Sequence, residues 1–300
     1  MILVVGATGN LGGEICRRLK AAGKPVRGLV RQTADAGKIE ALKSLGVDLA
    51  FGDLRDRASL DAACKGISAV ITTATTTLSR QPGDSIEATD QAGALNLVEA
   101  AKAAGVQHFV FISYSGNIDT GDDPCPLTVA KRSVEQRVRE SGMTYTILRP
   151  SVFMEIWLSP VLGFDYPNGK ATVYGSGDGK ISYISLGDVA EFAVQSLDNP
   201  AARNAVIELG GPEPLSLNEV VAIFENIGDK KFEVIHVPME ALLAQRAAAT
   251  DSLSKSFATL MMAQAWGDCI DASATSKSFP VQFMTVRTYA ERAMRAVKAG

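Results

Sequence analysis

The stretch that decides the fold is Val4-Val5-Gly6-Ala7-Thr8-Gly9-Asn10-Leu11-Gly12. The apolar run that leads into it, residues 2–5, predicts a buried parallel strand. The spacing of Leu11, Ile15 and Leu19 predicts a helix that begins directly after the glycines. A strand that turns sharply into a helix, with glycines at the turn, is the geometry that holds the pyrophosphate of a dinucleotide.

The three glycines of this turn have separate expected roles. Gly6 permits the tight turn, Gly9 lets the backbone approach phosphate, and Gly12 lets the helix pack close to the strand. The spacing is GxxGxxG rather than the more usual GxGxxG. A glycine-rich turn without a ligand is the alternative, and the position between a clean strand and a clean helix disfavours it. We therefore predict a nucleotide site formed by Gly6, Thr8, Gly9, Asn10, Leu11 and Gly12.

The composition is that of a globular enzyme with one main domain and a smaller addition. The chain has 300 residues, 46% of them hydrophobic. A net charge of −3 and a pI near 5.6 give no reason to expect nucleic acid or an anionic membrane as partner. The chain opens on a core strand, and no apolar run approaches the roughly 20 residues of a membrane span. We therefore expect a cytoplasmic protein without a membrane partner.

Cysteines and histidines predict no metal site. The cysteines are scattered, with no CxxC pair and no nearby histidine, and are expected to be free thiols: Cys16, Cys64, Cys125 and Cys269. The two histidines, His108 and His236, lie in strand-like apolar runs and are expected to be core or edge residues.

The first half of the chain alternates short β-branched runs with helical periods. Strands are predicted at residues 2–5, 25–30, 47–51, 67–72, 107–113 and 144–148. Helices are predicted at residues 10–23, 36–45, 57–65, 85–104 and 126–141. This alternation implies right-handed crossovers and an α/β fold of the Rossmann type, with a doubly wound parallel sheet covered on both faces.

Residues typical of helix starts and helix ends support these helix boundaries. Ser59 is a candidate start signal for the third helix, and Asp84-Ser85 followed by Glu87 for the fourth. One glycine falls where each helix should stop, as a left-handed cap: Gly23, Gly46, Gly66, Gly105 and Gly142.

The second half is less regular. It predicts a glycine-rich hairpin at residues 174–179, strands at 205–209 and 232–237, and helices at 217–226, 238–247, 252–265 and 286–298. The alanine-rich stretch 241–250 favours helix over linker. We expect residues 1–152 to form the NAD(P)-binding domain, with its sheet completed by about 187–210. Residues 153–186 and 211–300 form a smaller α+β substrate-binding part.

The end of the second strand indicates which nucleotide binds. An acid there binds the 2′-hydroxyl of NAD, whereas an arginine accommodates the 2′-phosphate of NADP. No acid precedes Asp35 in this segment, and Arg31 stands at the strand end with a planar fork suited to phosphate. A solvated surface arginine is the alternative. We predict a preference for NADP(H) over NAD(H).

Two further loops contribute candidates for cofactor binding. Asp53, after the third strand, lies where adenine would rest, although a turn or cap role is equally compatible with its type. Small residues after the fourth strand allow close backbone approach to the cofactor: Thr72, Thr73 and Ala74.

With these residues the chain resembles the NmrA-like branch of the atypical short-chain dehydrogenase/reductase superfamily. The matching segments cover most of residues 1–210: the glycine turn, Leu-Val-Arg31, Gly-Asp53-Leu, Asp90-Gln-Ala-Gly93, Thr146-Ile-Leu-Arg-Pro150 and Ile184-Ser-Leu-Gly-Asp188-Val-Ala. The family includes NAD(P)H-dependent quinone, dye and isoflavonoid-type reductases, and also proteins that bind the cofactor as a redox sensor without catalysis. The resemblance identifies the family specifically but indicates little about the substrate.

The superfamily normally uses a Tyr-x-x-x-Lys pair on the helix after the fifth strand. Here Lys131 is present, but Leu127 occupies the tyrosine position and carries no proton. This argues against epimerase and dehydratase chemistry but not against hydride transfer to a quinone-like acceptor. The resemblance implies that Lys131 binds the nicotinamide ribose or protonates the product, while a surface lysine on an amphipathic helix is the plainer interpretation.

Other candidates follow the fifth and sixth strands, at the carboxyl edge where ligands bind in such folds. Ser113 or Tyr114 could supply the hydroxyl that Leu127 lacks. Pro150 and Phe153 are expected to line the nicotinamide pocket. Phe153, Met154 and Trp157 form either an apolar platform for a flat substrate or part of the core.

These observations predict an NADPH-dependent reductase of a small, flat, apolar acceptor such as a quinone, a dye or an enone. The alternative is a non-catalytic NADP(H)-binding sensor. A third hypothesis, a sugar-nucleotide-modifying enzyme, is the one that Leu127 disfavours most. The expected partner is a small-molecule substrate, and a homodimer is left open.

Overall fold

The computed structural model describes residues 1–78, 80–119 and 123–299. Its strands are β1 (Ile2–Val5), β2 (Val26–Val30), β3 (Asp48–Phe51), β4 (Ala69–Thr72), β5 (His108–Ile112), β6 (Thr144–Pro150), β7 (Phe164–Asp165), β8 (Lys170–Tyr174), β9 (Lys180–Ile181), β10 (Ala205–Leu209), β11 (Leu215–Ser216) and β12 (Glu233–Val237). Short 3₁₀ turns occur at Gly116–Ile118, Pro160–Leu162 and Pro200–Ala202.

The α-helices follow the same order along the chain. They are α1 (Asn10–Ala21), α2 (Ala36–Ser44), α3 (Arg57–Ala63), α4 (Ala94–Ala103), α5 (Pro126–Arg139), α6 (Met154–Trp157), α7 (Leu186–Gln195), α8 (Leu217–Gly228), α9 (Met239–Ala248), α10 (Ser252–Trp266), α11 (Ser273–Ser278) and α12 (Val286–Ala299). A π-helix, Ile86–Gly93, runs directly into α4.

The central sheet has seven strands within the described residues, in the order β10-β6-β5-β4-β1-β2-β3. The pairs β1–β2, β1–β4, β2–β3, β4–β5 and β5–β6 are all parallel. The chain adds β2 and β3 on one side of β1 and then crosses to add β4 on the other. The predicted doubly wound Rossmann-type sheet is confirmed, and its switch point, where ligands bind in such sheets, lies between β1 and β4.

Two compact units can be distinguished, each with its own apolar core. Unit 1 comprises Met1–Tyr114, Pro126–Arg149 and Val189–Ile207, and unit 2 comprises Ser115–Cys125, Pro150–Asp188 and Glu208–Gly300. In unit 1 the strands β1, β4 and β5 are buried along their whole length, as expected of strands covered on both faces. In unit 2 a core that includes Phe164, Tyr183 and Phe224 lies among short strands and helices.

The predicted helix stops are confirmed, because each of the five glycines adopts a positive φ, between 69° and 84°. The start signal at Ser85 is also confirmed, since its side chain accepts a hydrogen bond from the N–H of Ala88 at 3.0 Å. The start signal at Ser59 is wrong. Asp56 caps α3 by accepting from Ala58, and the Ser59 hydroxyl lies inside the helix, where it donates to the carbonyl of Asp56.

The predicted hairpin at residues 174–179 is also wrong. β8 pairs with β7 and β12, whereas β9 pairs with β11, so the glycine-rich segment connects two different sheets of unit 2. The remaining elements of the second half are confirmed within one or two residues: α8, α9, α10, α12, β10 and β12. The alanine-rich stretch forms most of α9 and not a linker.

Candidate cofactor-binding and active site

The turn after β1 is built so tightly that only glycine fits at two of its positions. A Cβ at Gly6, which has φ +84°, would lie 2.6 Å from Oγ1 of Thr73. A Cβ at Gly12 would lie 2.1 Å from the carbonyl oxygen of Gly6. Such distances are far below van der Waals contact, so α1 approaches the turn as closely as backbone allows.

The N-terminus of α1 is open to an anion. Gly9 is the N-cap residue, and no side chain of the described residues caps this end of the helix. First-turn N–H groups have no acceptor inside a helix and carry partial positive charge, so they bind phosphate readily. Gly9 and Asn10 are exposed, Thr8 is half-buried, and Leu11 and Gly12 are buried beneath the turn. The turn therefore fits a dinucleotide pyrophosphate.

The loop after β4 lies against this turn. Thr73 donates through its backbone N–H to the carbonyl of Val5 at 3.0 Å, and its hydroxyl donates to the same oxygen at 3.3 Å. The backbone N of Ala74 lies 3.1 Å from the position of a Cβ on Gly6. Thr72 is buried as the last residue of β4. The structure thus brings these three predicted residues together with the glycine turn.

Arg31 lies directly after β2 and belongs to a group of alternating charges, here called the charge ring: Arg31, Asp53, Arg55 and Asp84. Arg31 donates from Nη1 to Oδ2 of Asp84 at 2.6 Å, and its Nε lies 3.5 Å from Oδ2 of Asp53. Arg55 donates to both oxygens of Asp53, at 3.0 Å each, and its Nη1 lies 3.6 Å from Asp84. The charge ring holds both guanidinium groups in defined orientations.

The charge ring leaves its arginines accessible and its acids ionised. The side chains of Arg31 and Arg55 are 25% and 33% exposed, whereas that of Asp84 is inaccessible. Hydrogen bonds from Arg55 lower the pKa of Asp53 below its ordinary value. Burial alone raises the pKa of Asp84, but hydrogen bonds from Arg31 and the N–H of Gln81 bring it below its ordinary value. The group can therefore present two oriented cations to a phosphate.

Ser113, directly after β5, is part of a second charged group, here called the Glu135 cluster: Ser113, Arg132, Glu135 and Arg149. The Ser113 hydroxyl donates to Oε1 of Glu135 at 2.5 Å and accepts from Nη1 of Arg132 at 2.9 Å. Arg149 donates to both Glu135 oxygens, at 3.0 and 2.5 Å. Ser113 is thus committed to a buried network. The adjacent Tyr114 is half-buried, and its backbone carbonyl accepts from Arg132.

Lys131 is not a surface residue. It is 7% exposed on α5, and its Nζ donates to the carbonyl of Ile112, at the end of β5, at 3.3 Å. The same Nζ lies 5.3 Å from the centre of the Phe111 ring. Burial lowers the pKa of Lys131, and the charge of Asp90 partly opposes that shift. Leu127, one turn earlier on α5, is buried at 2% exposure.

Pro150 and Phe153 lie in unit 2. Pro150 ends β6, and Phe153 is half-buried at the start of α6, where it forms a bridge with Ile184. Met154 is fully buried in the core of unit 2, and Trp157 packs half-buried against that core.

The structure contains no metal site within the described residues, as no group of three or more His, Cys, Asp or Glu side chains converges there. His108 is buried on β5 with its Nε2 2.9 Å from Oγ1 of Thr146, and burial lowers its pKa to about 4. His236 is exposed on β12. None of the four cysteines, all of which lie among the described residues, is in a disulfide. In residues 1–78, 80–119 and 123–299, no helix combines the length and hydrophobicity of a membrane span.

The sequence alone did not identify four charged residues near the predicted ones as functional candidates: Arg55, Asp84, Asp90 and Glu135. Arg55 stands two residues after Asp53, and Arg132 and Glu135 are three apart on one helix. Such short spacings could have suggested pairing, but they are equally typical of solvated surfaces. The partners across the fold are 14 to 53 residues away in sequence, so no local pattern reveals them.

A family model and individual relatives both match most of this chain. The NmrA-like family model matches residues 1–290. The chain is 34% identical over 241 residues to an NAD(P)H azoreductase of Xenophilus azovorans, covering 80% of this chain and 78% of that protein. It is 35% identical over 257 residues to an isoflavone reductase homolog of Zea mays, covering 81% and 79%.

A solved structure agrees with the fold. The Escherichia coli NADPH-dependent quinone oxidoreductase, in its complex with NADPH, superposes with a TM-score of 0.78 at 24% identity. The match covers 98% of this chain and 99% of that one. With the family model spanning nearly the whole sequence, the chain belongs to the NmrA-like family.

Proposed function

We propose that this protein is an NADPH-dependent reductase that transfers hydride to a small, flat, apolar acceptor of the quinone, dye or enone class. The observation that carries the proposal is the glycine turn, where α1 approaches β1 at backbone contact and leaves its N-terminus free for phosphate. The azoreductase and the isoflavone reductase homolog among its relatives support the reaction class.

The cofactor roles follow the carboxyl edge of the sheet. The backbone of the glycine turn binds the pyrophosphate, and Arg31 binds the 2′-phosphate. Asp53 lies on the adenine side, and the loop after β4 packs against the cofactor. Pro150, the last residue of β6, and Phe153 are assigned to the nicotinamide. These assignments use the residues predicted from the sequence and add Arg55 as a second cation beside Arg31.

The cofactor assignment predicts the behaviour of Arg31→Ala. Loss of a charge-assisted, oriented contact should weaken NADPH binding about tenfold or more and leave NADH binding nearly unchanged. The measurement is a titration of each cofactor by fluorescence or calorimetry. Arg57→Ala, which removes a partly exposed arginine paired within α3, is the matched control and should bind NADPH as wild type does. Equal NADPH affinity in the Arg31 and Arg57 variants would contradict the assignment.

The proton for the reduced acceptor is the second requirement of the reaction. NADPH, when bound, supplies the hydride and hence the electron pair. Leu127 carries no proton, and the Ser113 hydroxyl is held between Glu135 and Arg132. Lys131, whose Nζ donates to the carbonyl at the end of β5, is the next of the predicted candidates, and it either holds the nicotinamide ribose or donates its proton. Tyr114 is the hydroxyl alternative.

The decisive experiment follows NADPH absorbance against a panel of quinones, azo dyes and enones. We expect turnover with at least one acceptor and a fall in kcat of at least tenfold in Lys131→Ala. Lys102→Ala, on the exposed face of α4, is the control and should retain wild-type kcat. Unchanged kcat in Lys131→Ala would remove Lys131 from the mechanism without removing the reductase function.

A second candidate function is a non-catalytic NADP(H) sensor. The observation that favours it is that Leu127, which the resemblance assigns to the position of the superfamily's proton donor, is a buried apolar side chain. Tight NADPH binding without turnover on any acceptor of the panel would establish this alternative over the reductase.

A further inference from the structure

Asp84 is the acid of the charge ring whose side chain is inaccessible to solvent. Its Oδ2 accepts from Nη1 of Arg31 at 2.6 Å and from the backbone N–H of Gln81 at 2.9 Å. Its Oδ1 accepts from the hydroxyl of Thr89, on the π-helix, at 3.1 Å. Three donors, one after β2, one before the π-helix and one within it, thus fix the carboxylate.

The short segment 81–84, between β4 and the π-helix, contacts the loops that follow β2 and β3. The hydroxyl of Thr33 donates to the side-chain oxygen of Gln81. The carbonyl of Pro82 accepts from Nη1 of Arg55 at 3.3 Å. These contacts join parts of unit 1 that are 27 to 48 residues apart in sequence. The segment therefore holds both loops that carry the arginines of the charge ring.

The two arginines of the charge ring differ in how many N–H donors they have left. Arg55 uses Nε and Nη2 on Asp53 and Nη1 on Pro82. Arg31 forms one hydrogen bond within the described residues, to Asp84, and a looser ion pair with Asp53 at 3.5 Å. Because its side chain is also 25% exposed, Arg31 keeps N–H groups for a ligand. Arg31 is thus anchored on one side and accessible on the other.

We propose that Asp84 is a positioning residue that produces the preference for NADPH, because it holds the Arg31 guanidinium in the orientation that meets the 2′-phosphate. This rests on the proposed reductase function and its cofactor assignment. An unrestrained arginine loses rotamer freedom when it binds a ligand, and that loss opposes binding. An arginine already held by a buried acid avoids most of this cost. Asp84 therefore favours the binding of an anion although it is itself an acid.

The test is Asp84→Asn, which keeps the shape of the side chain and removes its charge. NADPH and NADH are the probes, because they differ only in the 2′-phosphate. Removal of a negative charge near a phosphate should by itself tighten NADPH binding, whereas loss of the oriented arginine should weaken it. We expect about five- to tenfold weaker NADPH binding in calorimetry, with NADH binding unchanged. The direction of the change thus separates positioning from simple electrostatics.

A second measurement follows Arg31 in the protein without cofactor. It uses ¹⁵N NMR of the arginine Nε–Hε groups, with the Arg31 signal assigned by its loss in Arg31→Lys. In Asp84→Asn the heteronuclear NOE of that signal should fall, because the guanidinium loses its anchor. Thr89→Val breaks the bond to the other carboxylate oxygen but keeps the charge and the bond from Arg31. It should lower stability while Arg31 stays rigid and NADPH stays preferred.

Asp61→Asn is the control for charge, since it removes one acid from α3, where Asp61 pairs with Arg57. It should leave both affinities unchanged. Where Asp84→Asn does not fold, Asp84→Glu keeps the charge, displaces the carboxylate by one methylene and carries the same expected loss.

An NADPH affinity that is unchanged or higher in Asp84→Asn overturns the proposal. Equal affinity of the wild type for NADPH and NADH would overturn both the proposal and the cofactor assignment. Absence of turnover on every acceptor, together with the expected loss of NADPH affinity, would overturn the reductase function and leave the role of Asp84 intact.

Discussion

Replacing Gly12 by alanine is expected to destabilise the protein by about 3 kcal/mol and to weaken NADPH binding at least about a hundredfold. The new Cβ would lie 2.1 Å from the carbonyl oxygen of Gly6, 2.7 Å from its carbonyl carbon and 3.1 Å from Cα of Ala7. All three atoms are backbone, so no side chain can rotate away. Helix α1 must therefore move off the turn, and its N–H groups move with it.

Gly13→Ala is the matched control for this experiment. Its Cβ would lie 3.5 Å from the carbonyl oxygen of Ala7, an ordinary contact, and Gly13 is inside α1. Alanine is about 0.5–1 kcal/mol more favourable than glycine at a helix position. We expect denaturant unfolding to show unchanged or higher stability for Gly13→Ala, with NADPH affinity retained. Similar losses in both variants would show that α1 does not depend on the close approach at Gly12.

Glu135→Gln is expected to cost about 3–5 kcal/mol of stability, measured by denaturant unfolding at pH 7. Glu135 is 1% exposed and lies within 3.0 Å of donors from Ser113, Arg132 and Arg149. Removing its charge leaves two largely buried guanidinium groups without their acid. Glu99→Gln, which breaks an ion pair with Arg137 at the surface, is the control and should change stability little. Equal losses in the two variants would contradict a stabilising role for the Glu135 cluster.

The same residue gives the protein a pH dependence with a defined sign. Burial alone would raise the pKa of Glu135, but hydrogen bonds from Arg149 and Ser113 and the charges of the arginines hold it below its ordinary value of 4.5. A carboxyl with a lowered folded-state pKa stabilises the protein fully above its unfolded-state pKa and loses that contribution as pH falls towards the folded-state value. Below pH 4.5 the stability gap between wild type and Glu135→Gln should therefore narrow.

Features encoded by neighbouring residues were predictable. A glycine that ends a helix needs a left-handed φ at one position only, so each of the caps, such as Gly23 and Gly105, could be identified from its place after a periodic segment. The glycine turn was predictable for the same reason, since strand, turn and helix are contiguous. The position of Arg31 at the end of β2 followed once that strand was placed.

Features set by distant partners were not predictable. The Tyr174–Gly179 segment has the composition of a hairpin, but β8 finds its neighbours at β7 and β12. Ser59 has the chemistry of a helix cap, yet Asp56 stands at the position where the first turn needs an acceptor. The Glu135 cluster joins two strand ends to one helix, and only the folded sheet brings those together.

The π-helix has a consequence for how the chain tolerates changes in length. A π-helix spans five residues between bonded groups where an α-helix spans four. The segment Ile86–Gly93 therefore holds an extra residue between the Ser85 cap and α4 compared with an α-helix. Loss of one residue there shortens the segment to α-helix without breaking either end. It also turns the residues before it by about 100° relative to α4, which exchanges the side chain that faces α5. Inside most helices an insertion or deletion disrupts the structure. In this π-helix it would instead change which side chain faces α5.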